Sequence, residues 1–328
     1  MQEKIEQLKN EINKAKNIVL FTHIRMDPDT FWSATALYYI LEKIWKKVIL
    51  LNDEKAPDDF SFLWANEIIS TNYDLTKFNP DLAISLDASS LDQLAESYEK
   101  NKKIINNIPF FVIDHHITNN WFWKVNIIDI NSSSTCELLF NILKEINLIK
   151  YIDKKISTLL MAWILTDTNV FYNTNVTPQT HKITAELLEL WADSRLWIFN
   201  FFKKRSLLKT KVLAKALSKI EVIEKKLENW KNIIYTTLNK KDLIELWATD
   251  KDTNWVIESL INIEKCEIAF IIYPLSDWKN KVSFRSHSFD ISKIAQSLWW
   301  WWHKQAAWAS SKKEINLFIK EILEKITK

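Results

Sequence analysis

The chain has 328 residues, 47% apolar and 26% charged, enough for two domains that each bury a core. A net charge of +3 gives neither an acidic tail nor a broad basic face for duplex DNA, and leaves room only for local phosphate sites. The N-terminus is charged, without the apolar core of a signal peptide, and no run approaches the ~18 apolar residues of a membrane span. The expectation is a cytoplasmic protein with no membrane partner.

In chain order, residues 2–16 read as a helix leading into an apolar run at 17–22, a buried strand. A helix over 32–44 and a strand at 47–52 follow. Further apolar strands fall at 82–87 and 109–114, with helical patterns at 90–102, 135–146 and 154–166. This alternation predicts an α/β fold. Residues 1–195 are expected to form a first domain whose largely parallel sheet carries helices on both faces. Residues 177–227 read as helical throughout, with 196–227 as a connector. The remainder, 228–328, places strands at 233–238, 267–274 and 281–286 among helices and ends on a helix at 312–327. That is a smaller second α/β domain.

The chain contains no glycine and 17 tryptophans. Ordinary usage of roughly 7% predicts about 23 glycines, and an α/β chain needs left-handed turns and helix ends that glycine supplies most cheaply. Several tryptophans stand at such places. Trp45 and Trp191 follow helical patterns, and Trp230 and Trp278 sit where Asn-Gly or Asp-Gly turns are favoured. Trp299, Trp300, Trp301 and Trp302 are consecutive. The expectation is that these positions are glycine in the organism, through a UGA codon read as glycine. The alternative is a genuinely tryptophan-rich protein. Cys136 and Cys266 match no zinc spacing and read as reduced thiols.

Acidic and imidazole side chains cluster where predicted strands end. His23, Asp27 and Asp29 follow the first strand, Asp87 closes the third, and Asp114, His115 and His116 close the fourth. Asp167 ends the helical run after 154. In open parallel sheets, ligands bind outside the carboxyl ends of the strands. Five carboxylates and three imidazoles at one place need cations to offset their repulsion. Oxygen and nitrogen donors without a nearby thiolate suit Mn²⁺, with Mg²⁺ as the second candidate. Two ions would favour in-line attack on phosphorus and activate water near neutral pH. Singly, a strand-end Asp is more often a helix N-cap, but here four separate segments converge.

The string Asp114-His115-His116, with His23-x3-Asp27-x-Asp29 upstream, resembles the DHH phosphoesterase family. Met26 and Pro28 stand where that family often has Pro and Gly, but neither supplies a ligand. The resemblance implies that His23, Asp27 and Asp87 hold one Mn²⁺. It implies that Asp29, Asp87, His115 and Asp167 hold the other, with Asp87 bridging. His116 would face the scissile phosphate, and Asp114 would orient the imidazoles.

With glycine read for tryptophan, residues 299–308 become Gly-Gly-Gly-Gly-His303-Lys-Gln-Ala-Ala-Gly, which resembles the glycine-rich loop of the DHHA1 domain. Successive glycines let backbone N–H groups form an anion nest. His303 and the 299–302 run would thus bind substrate, together with Arg285 on its strand. The two-domain layout resembles the bacterial nanoRNase branch. That implies hydrolysis of short oligoribonucleotides, of dinucleotides such as pApA, or of 3′-phosphoadenosine 5′-phosphate. An inorganic pyrophosphatase or exopolyphosphatase is the alternative enzyme, and an inactive nucleotide sensor the alternative of another class. The partner is a small nucleotide or short single-stranded oligoribonucleotide. A homodimer is left open.

Overall fold

Alternate residues of the run Ile18-Val19-Leu20-Phe21 face opposite sides of a strand, and both sides are covered, so all four are buried. This is the first strand of a computed structural model that describes residues 1–24, 26–56, 67–224, 232–275, 277–298 and 305–326. The described residues divide into two units, Met1–Lys204 and Arg205–Lys328.

The first unit runs α1 (Gln2–Lys14), β1 (Asn17–Phe21), α2 (Pro28–Lys43), β2 (Lys47–Leu51), β3 (Ile69–Ser70), β4 (Leu82–Leu86), α3 (Ala95–Ile105), β5 (Phe110–Asp114) and β6 (Val125–Ile128). Then come α4 (Thr135–Glu145), α5 (Lys154–Asp167), α6 (Pro178–Glu189) and α7 (Ser194–Trp197), the last continuing as a π-turn over Ile198–Lys203. The sheet order is β3-β2-β1-β4-β5-β6 and every pairing is parallel. Ile18 and Leu20 pack with α1, α2, α4 and α5 in one core, and Val19 and Phe21 pack with α3 in another. β4 and β5 are buried along their whole length, as a parallel sheet covered on both faces requires. The strand order reverses between β1 and β4, so the crevice at their carboxyl ends is the natural ligand site.

The second unit contains α8 (Leu207–Leu217), β7 (Glu221–Ile223), β8 (Asn232–Thr237), α9 (Lys240–Leu246), α10 (Val256–Ile261), β9 (Cys266–Pro274), β10 (Asn280–Ser286), α11 (Ser292–Ser297), β11 (Ala306–Ser311) and α12 (Ile315–Ile326). Its mixed sheet has the order β11-β10-β9-β8-β7, with only β8 and β9 parallel. α11 and α12 cover one face, and α8 and α10 the other. Residues 196–227, read as a helical connector, divide between the units. The π-turn belongs to the first, while α8 and the short strand β7 belong to the second. The uniformly helical reading of 177–227 is therefore corrected at β7, which pairs antiparallel with β8.

Among the described residues, no helix is long and apolar enough to cross a membrane. Cys136 and Cys266 are buried free thiols.

Candidate metal centre

β1 ends at Phe21 and the chain turns into α2, whose first turn is set by Pro28 and capped by Asp27. The Asp27 carboxylate accepts the Thr30 N–H at 3.2 Å, so it is a helix N-cap and also faces the crevice. His23 lies between strand and helix. Its Nδ1 is 2.7 Å from the Ile24 carbonyl, which only accepts, so Nδ1 donates there and Nε2 is left to face the carboxylates. That Nε2 is 3.5 Å from Asp27 Oδ1 and 3.8 Å from Asp87 Oδ2.

Asp87 follows β4 with φ at 62°, in the left-handed region that a non-glycine residue adopts at a cost. Its N–H still donates to the Ile113 carbonyl of β5 at 2.8 Å, which anchors the turn. The two carboxylate oxygens face different neighbours. Oδ2 looks toward His23, and Oδ1 is 3.8 Å from His115 Nε2. Oδ2 is buried and has no hydrogen-bond partner among the described residues.

Asp29, in the first turn of α2, is fully buried against the start of α4. Its oxygens accept the N–H groups of Thr135 (2.8 Å) and Cys136 (3.3 Å), where the helix dipole favours an anion. His115 Nδ1 contacts the Ser132 carbonyl at 3.3 Å, which again leaves Nε2 free. That atom lies 3.5 Å from Asp29, 3.7 Å from Asp167 and 3.8 Å from Asp87. Asp167 ends α5, and the three residues Asn169, Val170 and Phe171 just beyond it are all left-handed. For Val170, which is β-branched, that is genuine strain beside the cluster.

Asp114 is buried at the end of β5 and fixes the loop that follows. It accepts the N–H groups of His115 (2.8 Å) and His116 (3.2 Å), His116 Nδ1 (2.7 Å) and Asn119 Nδ2 (2.6 Å). His116 therefore presents Nε2 away from Asp114, on a side chain that is 41% exposed.

The charges set the protonation. Burial is the largest influence on Asp87 and, with the charge of Asp27, lifts it to about 7 against the pull of His116 and His23. Burial and the neighbouring carboxylates push Asp29 and the partly open Asp167 well above the ordinary range. Burial opposes a charge on His116. The hydrogen bond to Asp114 and the charges of Asp87, Asp114 and Asp27 outweigh it and raise the imidazole to about 9. His115 goes the other way, lowered by burial and by the charge of His116.

All eight predicted residues of the first unit thus lie in one cluster. Within it, His23, Asp27 and Asp87 form one close set of donors, and Asp29, His115 and Asp167 another. Asp87 also forms a set with His115 and His116, so it is shared between the two halves. An orphaned buried carboxylate oxygen, crowded acids and two imidazoles with free Nε2 atoms fit two divalent cations held by oxygen and nitrogen.

Two further residues belong to the site. The Thr135 hydroxyl donates to Asp87 Oδ1 at 2.8 Å, and Asn119, also bonded to the Ala88 carbonyl, steadies Asp114. Both read from sequence as capping or turn residues. Their partners are distant in sequence or lie within a loop, and no spacing signals them.

In the second unit, Arg285 is on β10, on the face shared with Lys281 and Ser283. Its Nε donates to Glu258 of α10 at 2.8 Å and its Nη1 to the Phe284 carbonyl. Arg285, Lys281 and Ser283 line a groove of ≈ 350 Å³ with Tyr273, Asn254 and Trp308. The predicted substrate residues Trp299, Trp300, Trp301, Trp302 and His303 lie outside the described residues.

Residues 17–164 match the N-terminal domain of the DHH family. That stretch holds seven residues of the cluster, with Asp167 just beyond. An uncharacterized protein of Mycoplasma genitalium, MG371, is 27% identical over 307 residues, covering 92% of this chain and 89% of that protein. The bifunctional oligoribonuclease and PAP phosphatase NrnA of Bacillus subtilis is 23% identical and covers 88% of each chain. The fold is similar to that of an exopolyphosphatase-related protein from Bacteroides fragilis, with a TM-score of 0.83, 20% identity and coverage of 99% and 96%. With the matched stretch spanning β1 to α5, and the acids and imidazoles of its carboxyl edge drawn into one cluster, the chain carries an N-terminal domain of the DHH family over residues 17–164 and is a phosphoester hydrolase.

Proposed function

We propose that the chain hydrolyses short oligoribonucleotides, linear dinucleotides such as pApA, or 3′-phosphoadenosine 5′-phosphate, with two Mn²⁺ ions. The observation that carries this reading is Asp87, whose two oxygens face separate sets of donors and whose buried Oδ2 lacks a hydrogen bond. His23, Asp27 and Asp87 would hold one ion, and Asp29, Asp87, His115 and Asp167 the other. The ions, when bound, supply positive charge against the phosphoryl oxygens and acidify water.

The protein's own groups do the rest. Asp114 keeps a proton on His116 Nδ1 and turns Nε2 outward, where it can donate to a phosphoryl oxygen or hold a proton for the leaving oxygen. Asn119 and the two backbone N–H groups on Asp114 keep that imidazole in place. In the second unit, Arg285 and Lys281 give the groove a cationic wall suited to a nucleotide phosphate. The similarity to the B. subtilis oligoribonuclease and PAP phosphatase supports the choice of substrates.

The test is a panel of pApA, 3′-phosphoadenosine 5′-phosphate, pyrophosphate and polyphosphate with Mn²⁺, using Asp167→Ala as control. AMP release from either nucleotide, absent in the control, is the expected result. Turnover of pyrophosphate or polyphosphate alone would overturn the nucleotide reading.

A further inference from the structure

Among the described residues there are eleven tryptophans, and five of them, Trp45, Trp121, Trp191, Trp247 and Trp278, have φ between 56° and 67°. A side chain with a Cβ is disfavoured there, and a bulky one strongly so. The same five indoles are 57–94% exposed. Lys4 and Lys240 stack over Trp121 and Trp278, which are surface contacts and give no reason for a left-handed backbone.

Three of the five occupy one specific motif. At the end of α2, Trp45 N–H donates to the Glu42 carbonyl and Lys46 N–H to that of Leu41. After α6 the pairs are Trp191 to Leu188 and Ala192 to Leu187, and after α9 they are Trp247 to Ile244 and Ala248 to Leu243. This paired closure, with a left-handed residue at its centre, is the Schellman motif, where glycine is usual and asparagine the common substitute. Two other helices end the same way, and their left-handed residues are Asn147 and Asn169. Among the described residues the motif thus takes asparagine twice and tryptophan three times. Glycine, its usual occupant, is absent from the whole chain.

The turn between β9 and β10 repeats the pattern. Leu275 N–H donates to the Lys279 carbonyl across a left-handed Trp278 that follows Asp277. Inside the core, Trp163 of α5 is buried and its Nε1 has no hydrogen-bond partner among the described residues, a cost that a glycine would not carry.

We infer that the natural polypeptide carries glycine at the positions written as tryptophan, through a codon decoded as glycine in the source cell. The backbone geometry is evidence separate from composition, because it places five of the eleven described tryptophans at left-handed positions that favour glycine. The residue run 299–302 and Trp308 would then be glycine as well.

The decisive experiment is peptide mass spectrometry of the protein from its native cells. The tryptic peptide of residues 183–195 spans Trp191. A mass and fragment series with glycine at that position is the expected result, and one with tryptophan overturns the inference. A recombinant series separates backbone from indole by comparing Trp45→Gly, Trp45→Ala, Trp247→Gly and Trp247→Ala in denaturant. Each glycine variant should unfold at a higher midpoint than both its alanine counterpart and the parent. If alanine matches glycine at both sites, or the parent is the most resistant, the left-handed positions do not call for glycine.

Discussion

Replacing Asp87 by asparagine should destroy metal binding and yet stabilise the metal-free fold. Asn is nearly isosteric, tolerates the left-handed backbone at φ 62° and can still accept the Thr135 hydroxyl. What it removes is one charge from a buried cluster. The lift of Asp87 from its ordinary 3.8 to about 7 corresponds to about 4 kcal/mol, at ~1.4 kcal/mol per pH unit. Burying the amide instead costs about 1–2 kcal/mol, so the net gain at pH 8 is about 2–3 kcal/mol. The sign follows from proton linkage. A carboxyl with a raised folded-state pKa contributes stability that is complete below its ordinary value of 3.8 and is lost as pH rises through about 7. Urea denaturation in EDTA should therefore show Asp87→Asn more stable than the parent at pH 8, with the difference closing toward pH 4. Mn²⁺ at 1,000 times its dissociation constant should reverse the order, since it adds about 4.1 kcal/mol to the parent alone. A variant less stable than the parent in EDTA at pH 8 would refute the reasoning. The carboxylate would then be held by the protein itself and would not be strained for a cation.

Thr135→Val keeps the backbone N–H on Asp29 and removes only the hydroxyl on Asp87. Mn²⁺ affinity by calorimetry should fall about 10–100-fold, and Thr135→Ser should restore it. Because Asp29, Asp87 and Asp167 hold protons more tightly than ordinary acids, Mn²⁺ binding should release protons. Affinity should weaken as pH falls below about 7, and the heat of binding should depend on the buffer's ionisation enthalpy. Arg285→Lys should raise KM for pApA by roughly tenfold, about 1.4 kcal/mol, with kcat little changed. A fall in kcat alone would remove Arg285 from substrate binding.

Much of the fold is written in local pattern. β1, β2, β4 and β5 are apolar runs long enough to read as buried strands, and their alternation with helices yields the parallel sheet. β3 has two residues and β6 only four, with Asn126 buried inside it, so neither offers a period to detect. β7 is hidden in a lysine-rich stretch that looks helical, and only its pairing with β8 defines it. The cluster was legible because each of its acids and imidazoles follows a strand or helix end, where topology gathers side chains. Thr135 was not, since its partner Asp87 is 48 residues away and nothing local distinguishes this hydroxyl from an ordinary helix-start residue. Asn119 was hidden for a similar reason. As a turn residue it is common, and only the buried Asp114 beside it gives it a role.

The most direct test of a two-cation centre built around Asp87 is the Mn²⁺ content and magnetic coupling of the purified protein. Calorimetry should give two ions per chain, and electron paramagnetic resonance should show a spin-coupled pair, both lost in Asp87→Asn. One isolated ion per chain, or two uncoupled ions that survive the substitution, would contradict Asp87 as a shared ligand.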